Sequence, residues 1–526
     1  QVRGAVPPAP AARMARPSAA WIRFARRGKD TGRRPRPCYG IGMLAAIQSA
    51  AVLGVEAFAV TVEVDVAPGL PAWTIVGLPG GAVKEARERV SAAIVNAGFE
   101  LPSRRVTVNL SPADVRKEGT AYDLPIALGL LIAIGRLDPD AVGDLLVVGE
   151  LGLDGSIRPV RGALPIAALA ARRALRGVVL PEANGAEALL VGKARIVAAT
   201  TLAGIVACLR AGELPAIVSP AGVAVERPAD GLDFADVVGQ PLAKRALEIA
   251  AAGAHNVLMI GPPGTGKTML ARRLPGILPP LDDEALLDVV AVHSVAGVLP
   301  PGARPSAIPP FRAPHHTISV AGLIGGGPGP RPGEVSLAHR GVLFLDELLE
   351  LPRYILDAMR QPLEDGRVVI ARAAHAVAFP ARFQLVGAAN PCPCGRAGDG
   401  TDRCRCSQAD LERYGARLSG PLADRIDLHT HVGAVELSVL SRNGAEESSN
   451  AIRARVLDAR AQQRERYAAH ANWRVNADAA GTWLLAHGAL TPAARELLDT
   501  AAERLGLSAR AYHRIVRVAR TIADLD

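Results

Sequence analysis

The run NVLMIGPPGTGKTML, residues 256–270, constrains this chain more than any other. A short apolar run reads as a buried strand. The loop Gly261-Pro262-Pro263-Gly264-Thr265-Gly266-Lys267-Thr268 follows it, and then a helix begins. A loop of this composition turns its backbone N–H groups toward phosphates at a helix N-terminus. Lys267 reaches the β- and γ-phosphates, and the Thr268 hydroxyl binds Mg²⁺. The strand–loop–helix order commits this part of the chain to an α/β layout. Lysine usage adds weight: the chain has only six lysines among 60 basic residues, and one stands here. A compact ammonium, rather than a guanidinium fork, is what the position asks for.

The residues that complete such a site lie downstream. GVLFLDELLE is an apolar strand ending in Asp346-Glu347. Asp346 is placed to hold Mg²⁺ through water and Glu347 to polarise the attacking water. The separation of Lys267 from Asp346 exceeds one strand–helix–strand crossover, so an insertion is predicted. It contains PFRAPHHTISVAGLIGGGPGPRPGE. Adjacent histidines point in different directions on most backbones, so contact with a partner or DNA is favoured for His315-His316 over metal ligation.

RVVIAR and AVAFPARFQLV read as two strands joined by a short turn, a hairpin before the strand that ends at Asn390. Asn390 is expected beside the γ-phosphate. In LSGPLADRIDLH, Arg425 suits an arginine finger acting on a neighbouring subunit, with a surface salt bridge as the plainer alternative. ANPCPCGRAGDGTDRCRC holds Cys392, Cys394, Cys404 and Cys406, four of the chain's six cysteines. Four thiolates can close a structural tetrahedral Zn²⁺ site. The Cys-x-Cys spacing leaves an iron–sulfur cluster or unliganded thiols open. Remote Cys38 and Cys208 do not make a disulfide framework, and a reducing cytoplasm is expected.

The net charge of +9 does not argue for nucleic acid. Residues 1–42 carry ten basic residues and one acidic, and the remaining chain holds 50 of each. That Pro- and Arg-rich start is read as disordered or upstream-extended rather than as a targeting signal. No apolar run of about 18 residues predicts a membrane span. Five segments are expected: 1–42; 43–214, where strands and helices alternate; a Pro/Gly-rich linker at 215–232; a second α/β unit at 233–434; and a helical, Arg/Ala-rich 435–526.

The order of phosphate loop, insertion, VLFLDE, hairpin, AANP and GPLADRIDL resembles the AAA+ ATPases of the magnesium-chelatase and minichromosome-maintenance clade. With IVGLP, NLSPAD, KEGTAYDLPIALG, FRAPHHT, PRPGEVSLAH, NPCPCG and SARAYHRIVRVARTIADL, the chain from residue 43 is similar to the magnesium-chelatase-like ComM/YifB family. The resemblance implies an α/β multidomain protein: a Lon-protease-like α+β domain, an AAA+ P-loop core and a C-terminal helical domain. It matches Arg510 to the second sensor arginine. It further implies ATP and Mg²⁺ as cofactors, homo-hexamers, and DNA branch migration during natural transformation. In the Lon-like segment Ala121 stands where the nucleophilic serine belongs and Leu164 where the lysine belongs, so no protease is expected. Arg372 and His375, near the hairpin turn, are the candidate DNA contacts. The alternative function is a chelatase-type motor or remodelling ATPase acting on a protein partner.

Overall fold

The computed structural model describes residues 44–214, 231–327, 329–371, 376–398, 403–435 and 446–526. Two sheets organise them, and each follows from its sequence pattern. Strands β1 (Ala45–Leu53) and β2 (Glu56–Ala67) form a long antiparallel pair registered from Ala45↔Val64 to Leu53↔Glu56. β2 alternates buried valines (Val60, Val62, Val64, Val66) with half-buried Thr61, Glu63 and Asp65. That period of two is expected of a strand with one face on the core.

β3 (Ala72–Val76), helix α1 (Ala86–Asn96), β4 (Arg105–Ser111), α2 (Asp123–Ala133), β5 (Leu145–Val147), α3 (Ala163–Arg172), β6 (Gly177–Pro181) and β7 (Ile196–Ala199) complete the first layer. The strand order is β3-β4-β2-β1-β5-β6-β7. Every residue of α2 is buried, as its nearly unbroken apolar sequence requires. The sheet is mixed: the β1–β2 and β2–β4 pairings are antiparallel and the other four are parallel.

The second sheet is entirely parallel. Its elements are α4 (Pro241–Gly253), β8 (Val257–Ile260), α5 (Lys267–Ile277), α6 (Asp283–Ala296) and β9 (Phe311–Arg312), then the short pair β10 (Gly325–Gly326) and β11 (Arg331–Pro332). β12 (Val342–Leu345), the hairpin β13 (Arg367–Ala371) and β14 (Ala376–Pro380), β15 (Gln384–Ala389) and β16 (Leu428–His431) follow. The five parallel strands run β9-β12-β15-β8-β16. β12 and β15 are buried at every position, the continuous apolar reading of a sheet covered on both faces. The run 376–386 divides into two strands: β14 ends at Pro380, which has no N–H to continue the ladder, and β15 starts anew at Gln384.

Helices α7 (Ser449–Arg466), α8 (Gly481–His487), α9 (Pro492–Leu505) and α10 (Ala509–Leu525) close the chain. α7 and α10 both pack on α4. The two sheets meet through α6: Leu286 and Val290 bury against Leu164 of α3. Gly162 N–H donates to the Ser294 carbonyl at 3.1 Å, and Gly302 N–H to the Ala183 carbonyl at 2.8 Å. Contacts group residues 42–526 into one unit. Among the described residues no helix is long and apolar enough to cross a membrane.

Candidate nucleotide site and cysteine cluster

Strand register brings the predicted residues together. Ile260 of β8 pairs with Ala389 of β15 and His431 of β16, and Leu345 of β12 pairs with Gly387. Gly261, Asp346 and Asn390 therefore leave the sheet at the same carboxyl edge, where parallel α/β sheets bind ligands. Gly261 N–H donates to the Ala389 carbonyl at 3.1 Å. A Cβ on Gly261 would lie 2.0 Å from the Val432 carbonyl oxygen, and Gly264 and Gly266 have φ of +79° and +90°. The loop needs glycine at all three positions.

Lys267 is the first residue of α5 and is buried. Its ammonium donates to the Gly261 carbonyl at 2.5 Å, to the Pro262 carbonyl at 2.8 Å and to Asn390 Oδ1 at 3.4 Å. Burial lowers its pKa, while the Asp346 and Glu347 carboxylates oppose that shift. A buried cation folded back onto neutral acceptors of its own loop fits a site built for polyphosphate. The Thr268 hydroxyl donates to Asp346 Oδ2 at 2.7 Å, so both predicted Mg²⁺ ligands already touch. These residues fit ATP and Mg²⁺: hydroxyl and carboxylate are oxygen donors of the kind Mg²⁺ takes alongside phosphate.

Glu347 is half-exposed with a left-handed backbone, φ 49°. That conformation costs a non-glycine residue roughly 1–2 kcal/mol. Its carboxylate Oε2 lies 3.1 Å from His316 Nδ1. Within this chain His316 meets Glu347; the expected contact of the histidine pair with a partner or DNA is a separate matter that this contact does not decide. FRAPHHT opens with β9 itself, which lies beside β12 in the sheet, a pairing the segment's own residues do not announce. Gln240 was also missed: its amide donates to the Gly433 carbonyl at 2.6 Å and the Thr265 carbonyl at 3.4 Å, bracing the phosphate loop.

Arg425 and Arg510 are not brought to this loop. Asn256 Nδ2 donates to the Arg425 carbonyl at 2.8 Å, which puts Arg425 at the start of β8. The loop leaves the other end, about 13 Å away along four residues. Arg425 is ion-paired with Glu364 and also donates to the Pro421 carbonyl at 2.5 Å. Arg510 lies in the first turn of α10, exposed. One turn on, Arg514 donates to the Ala423 and Ile426 carbonyls, so this end of α10 sits beside Arg425. Arg372 and His375 lie outside the described residues.

The sulfurs of Cys392, Cys394, Cys404 and Cys406 gather within 4.8 Å of one another. Cys392–Cys394, Cys394–Cys404 and Cys392–Cys404 are separated by 3.3, 3.6 and 3.8 Å. Tetrahedral Zn–S bonds of about 2.3 Å require edges of about 3.8 Å. The spacing suits one four-coordinate ion, and a multi-iron cluster would need its thiolates farther apart. The Arg396 backbone N–H, and then Cys392, hold the Cys394 thiol down to about 6, while Cys404 and Cys406 are raised, so one thiolate is favoured among thiols that keep their protons. The loop also abuts the nucleotide site: a Cβ on Gly395 (φ +77°) would lie 3.0 Å from Pro263 Cδ.

The arrangement has counterparts among known proteins. Residues 233–440 match the family described as "Magnesium chelatase, subunit ChlI", residues 62–184 "Subunit ChlI of Mg-chelatase", and residues 446–526 its C-terminal part. Competence protein ComM of Haemophilus influenzae is 46% identical over 489 residues, 92% of this chain and 94% of that protein. The chain belongs to the ComM/YifB family of magnesium-chelatase-like proteins. The uncharacterized protein YifB of Salmonella typhimurium is 43% identical over 484 residues, again 92% of this chain and 94% of its own. Lon protease 2 of Bacillus subtilis is 30% identical over 243 residues, 40% of this chain and 43% of that protein. The Lon-like similarity accords with the sequence reading. Leu164, where the catalytic lysine was sought, is buried against Leu286 and Val290.

Proposed function

We propose that this chain is an ATP-hydrolysing motor that assembles into rings, as hexamers, and drives branch migration of DNA during the uptake of incoming DNA in natural transformation. The observation that carries the hydrolytic part is the Thr268–Asp346 contact beside Lys267 and Asn390 at one sheet edge. Lys267 neutralises phosphate charge, Thr268 and Asp346 would hold the Mg²⁺, Asn390 senses the γ-phosphate and Glu347 activates water. The Mg²⁺ that Thr268 and Asp346 would hold would supply positive charge to offset the charge developing on the phosphates during transfer. Arg425 lies at the far end of β8 from its own loop, so a catalytic role for it would require a neighbouring subunit. That geometry supports a ring.

The DNA and competence part rests on the similarity to ComM of Haemophilus influenzae. Arg372 and His375 remain its candidate contacts. We read residues 43–214 as a Lon-like assembly collar without peptidase chemistry, 215–232 as a linker, 233–434 as the AAA+ core and 435–526 as the helical lid. Zn²⁺ in the four-cysteine loop would clamp the chain leaving Asn390, where it rests on Pro263. Purified protein is expected to hydrolyse ATP and to move a four-way junction in an ATP-dependent manner. ATPase activity with no effect on forked or four-way DNA would favour the chelatase-type or remodelling motor that the magnesium-chelatase match also allows.

A further inference from the structure

His255-Asn256 precedes β8, at the end of that strand opposite the phosphate loop, and both residues reach the segment that carries Arg425. Asn256 Nδ2 donates to the Arg425 carbonyl at 2.8 Å, and the Asn256 carbonyl accepts from the Asp427 and Leu428 N–H groups at 3.0 Å each. Asn256 Oδ1 accepts from the Leu385 N–H and the His255 carbonyl from Gln384 Nε2, both at 2.8 Å, which fixes the pair to β15. The His255 side chain is fully buried. Its Nδ1 lies 3.1 Å from Asp427 Oδ2 and its Nε2 2.8 Å from the Thr521 hydroxyl on α10. An ionised carboxylate only accepts, so the proton between His255 and Asp427 belongs on Nδ1. Thr521 is buried as well and accepts from Asn476 Nδ2 at 2.9 Å. Helix α4 ends at Gly253 beside this contact: a Cβ there would lie 2.2 Å from His255 Nε2 and 2.6 Å from Thr521 Oγ1. Two turns earlier on α10, Arg514 donates to the Ala423 and Ile426 carbonyls at 2.9 and 2.8 Å. Helix α10 thus holds the segment 423–427 on both sides of Arg425.

Packing alone would be served by an apolar side chain at this buried position, without the cost of desolvating two ring nitrogens. The imidazole instead joins two elements, and a satisfied buried polar network of this kind rigidifies what it connects. One of its partners stands two residues from Arg425. A guanidinium that serves a neighbouring subunit is effective only where its backbone is fixed, since a misplacement of about 1 Å costs on the order of 10²-fold in rate. We propose that His255 is a positioning residue for Arg425: it bridges Asp427 to Thr521 and so fastens the arginine's segment to helix α10 of the same subunit. β8 then serves two sites, its own through the phosphate loop at one end and the neighbour's through His255 and Arg425 at the other. The inference rests on the proposed intermolecular role of Arg425.

The test mixes subunits. H255A, G253A and T521V are each assayed for ATP hydrolysis alone, with K267A and with R425A, alongside nucleotide affinity from a fluorescent ATP analogue. Alone, H255A is expected to lose about tenfold or more in kcat, the scale of a lost hydrogen bond to a charged group, with nucleotide affinity unchanged. K267A subunits, whose Arg425 is still in place, should restore part of that activity, and R425A subunits should restore none. G253A and T521V part α10 from the imidazole while keeping His255, and should show the same pattern with a smaller loss. Parental kcat in H255A overturns the proposal, as does restoration by R425A. Failure of K267A to restore H255A also overturns it, because the damage then lies in the variant's own nucleotide site. Parental activity in both G253A and T521V beside an impaired H255A removes α10 from the bridge and overturns it too. If H255A does not fold, T521V decides by the same pattern. The R425A–K267A pair reports on the underlying reading: without restoration there, Arg425 serves no neighbour and the proposal falls with it. Restoration there beside a parental H255A removes His255 alone.

Discussion

Lys267 and Glu347 illustrate how much one side chain decides. Lys267 is drawn onto the Gly261 and Pro262 carbonyls, and its pKa is lowered by burial, so its charge is exposed to phosphate in a poorly solvated pocket. K267A is expected to weaken ATP binding at least tenfold, since a charge-assisted contact contributes about 1.5–3 kcal/mol. Equilibrium titration with a fluorescent nucleotide measures this. E347Q should bind ATP as the parent does while kcat falls on the order of 10²-fold or more, the scale of a lost general base. Parental turnover in both variants would sink the site assignment. The pattern of loop, lysine and acidic pair was legible because each chemistry demands one residue type at one place. His316 was not, because nothing in FRAPHHT says which strand lies beside it.

At the scale of elements, the cysteine loop and the phosphate loop are neighbours in space although 129 residues separate Pro263 from Cys392. Their contact is at Gly395, where a side chain would meet a left-handed backbone and a Cβ would lie 3.0 Å from Pro263 Cδ, tight enough that the proline would have to give way. G395V is expected to lower ATP affinity severalfold with the zinc content retained. Equal loss of both would mean the loop had simply unfolded. The purified protein should carry about one zinc per chain, removed when Cys392 and Cys404 are both changed to Ser; elemental analysis decides, and iron with sulfide would contradict it.

The arginines present a different case. Arg425 pairs with Glu364 in the single subunit, as the plainer reading of the sequence allowed. Its distance from the loop of its own chain makes any catalytic role intermolecular. R425A should bind ATP yet lose hydrolysis, and mixing it with K267A should restore part of the activity. No restoration at any mixing ratio would leave Arg425 as a structural ion pair.

For the whole molecule, the α3–α6 contact joins the Lon-like sheet to the AAA+ sheet through Leu164, Leu286 and Val290. Restoring a lysine at that position would put an ammonium among leucines and valines. L164K is therefore expected to destabilise the protein by about 2–4 kcal/mol, read from denaturant melts, and to gain no peptidase activity even with A121S. The charge balance carries a separate expectation. Outside residues 1–42 basic and acidic groups are equal in number, so on the proposed reading DNA binding would come from a local arrangement repeated around a ring. Affinity should depend on nucleotide and fall steeply with salt, equally for the full chain and for one starting at Met43. If only the full chain binds, the basic arm is responsible.

The sequence by itself determined the local chemistry: a phosphate-loop pattern, a hydroxyl and a carboxylate of the kind Mg²⁺ takes, four cysteines in one short stretch, and a Lon-like segment with Ala121 and Leu164 at the dyad positions. Each is written in residue types whose backbone or donor properties admit few substitutes, as Gly261 shows where a Cβ would strike the Val432 carbonyl. The tertiary structure alone decided which of these features meet. Strand register aligned Gly261, Asp346 and Asn390 at one edge, set Gly395 on Pro263, brought His316 to Glu347, and left Arg425 and Arg510 at the opposite end of the sheet. Long-range contact depends on how neighbouring strands pair and how side chains pack across them, and local periodicity holds no record of either.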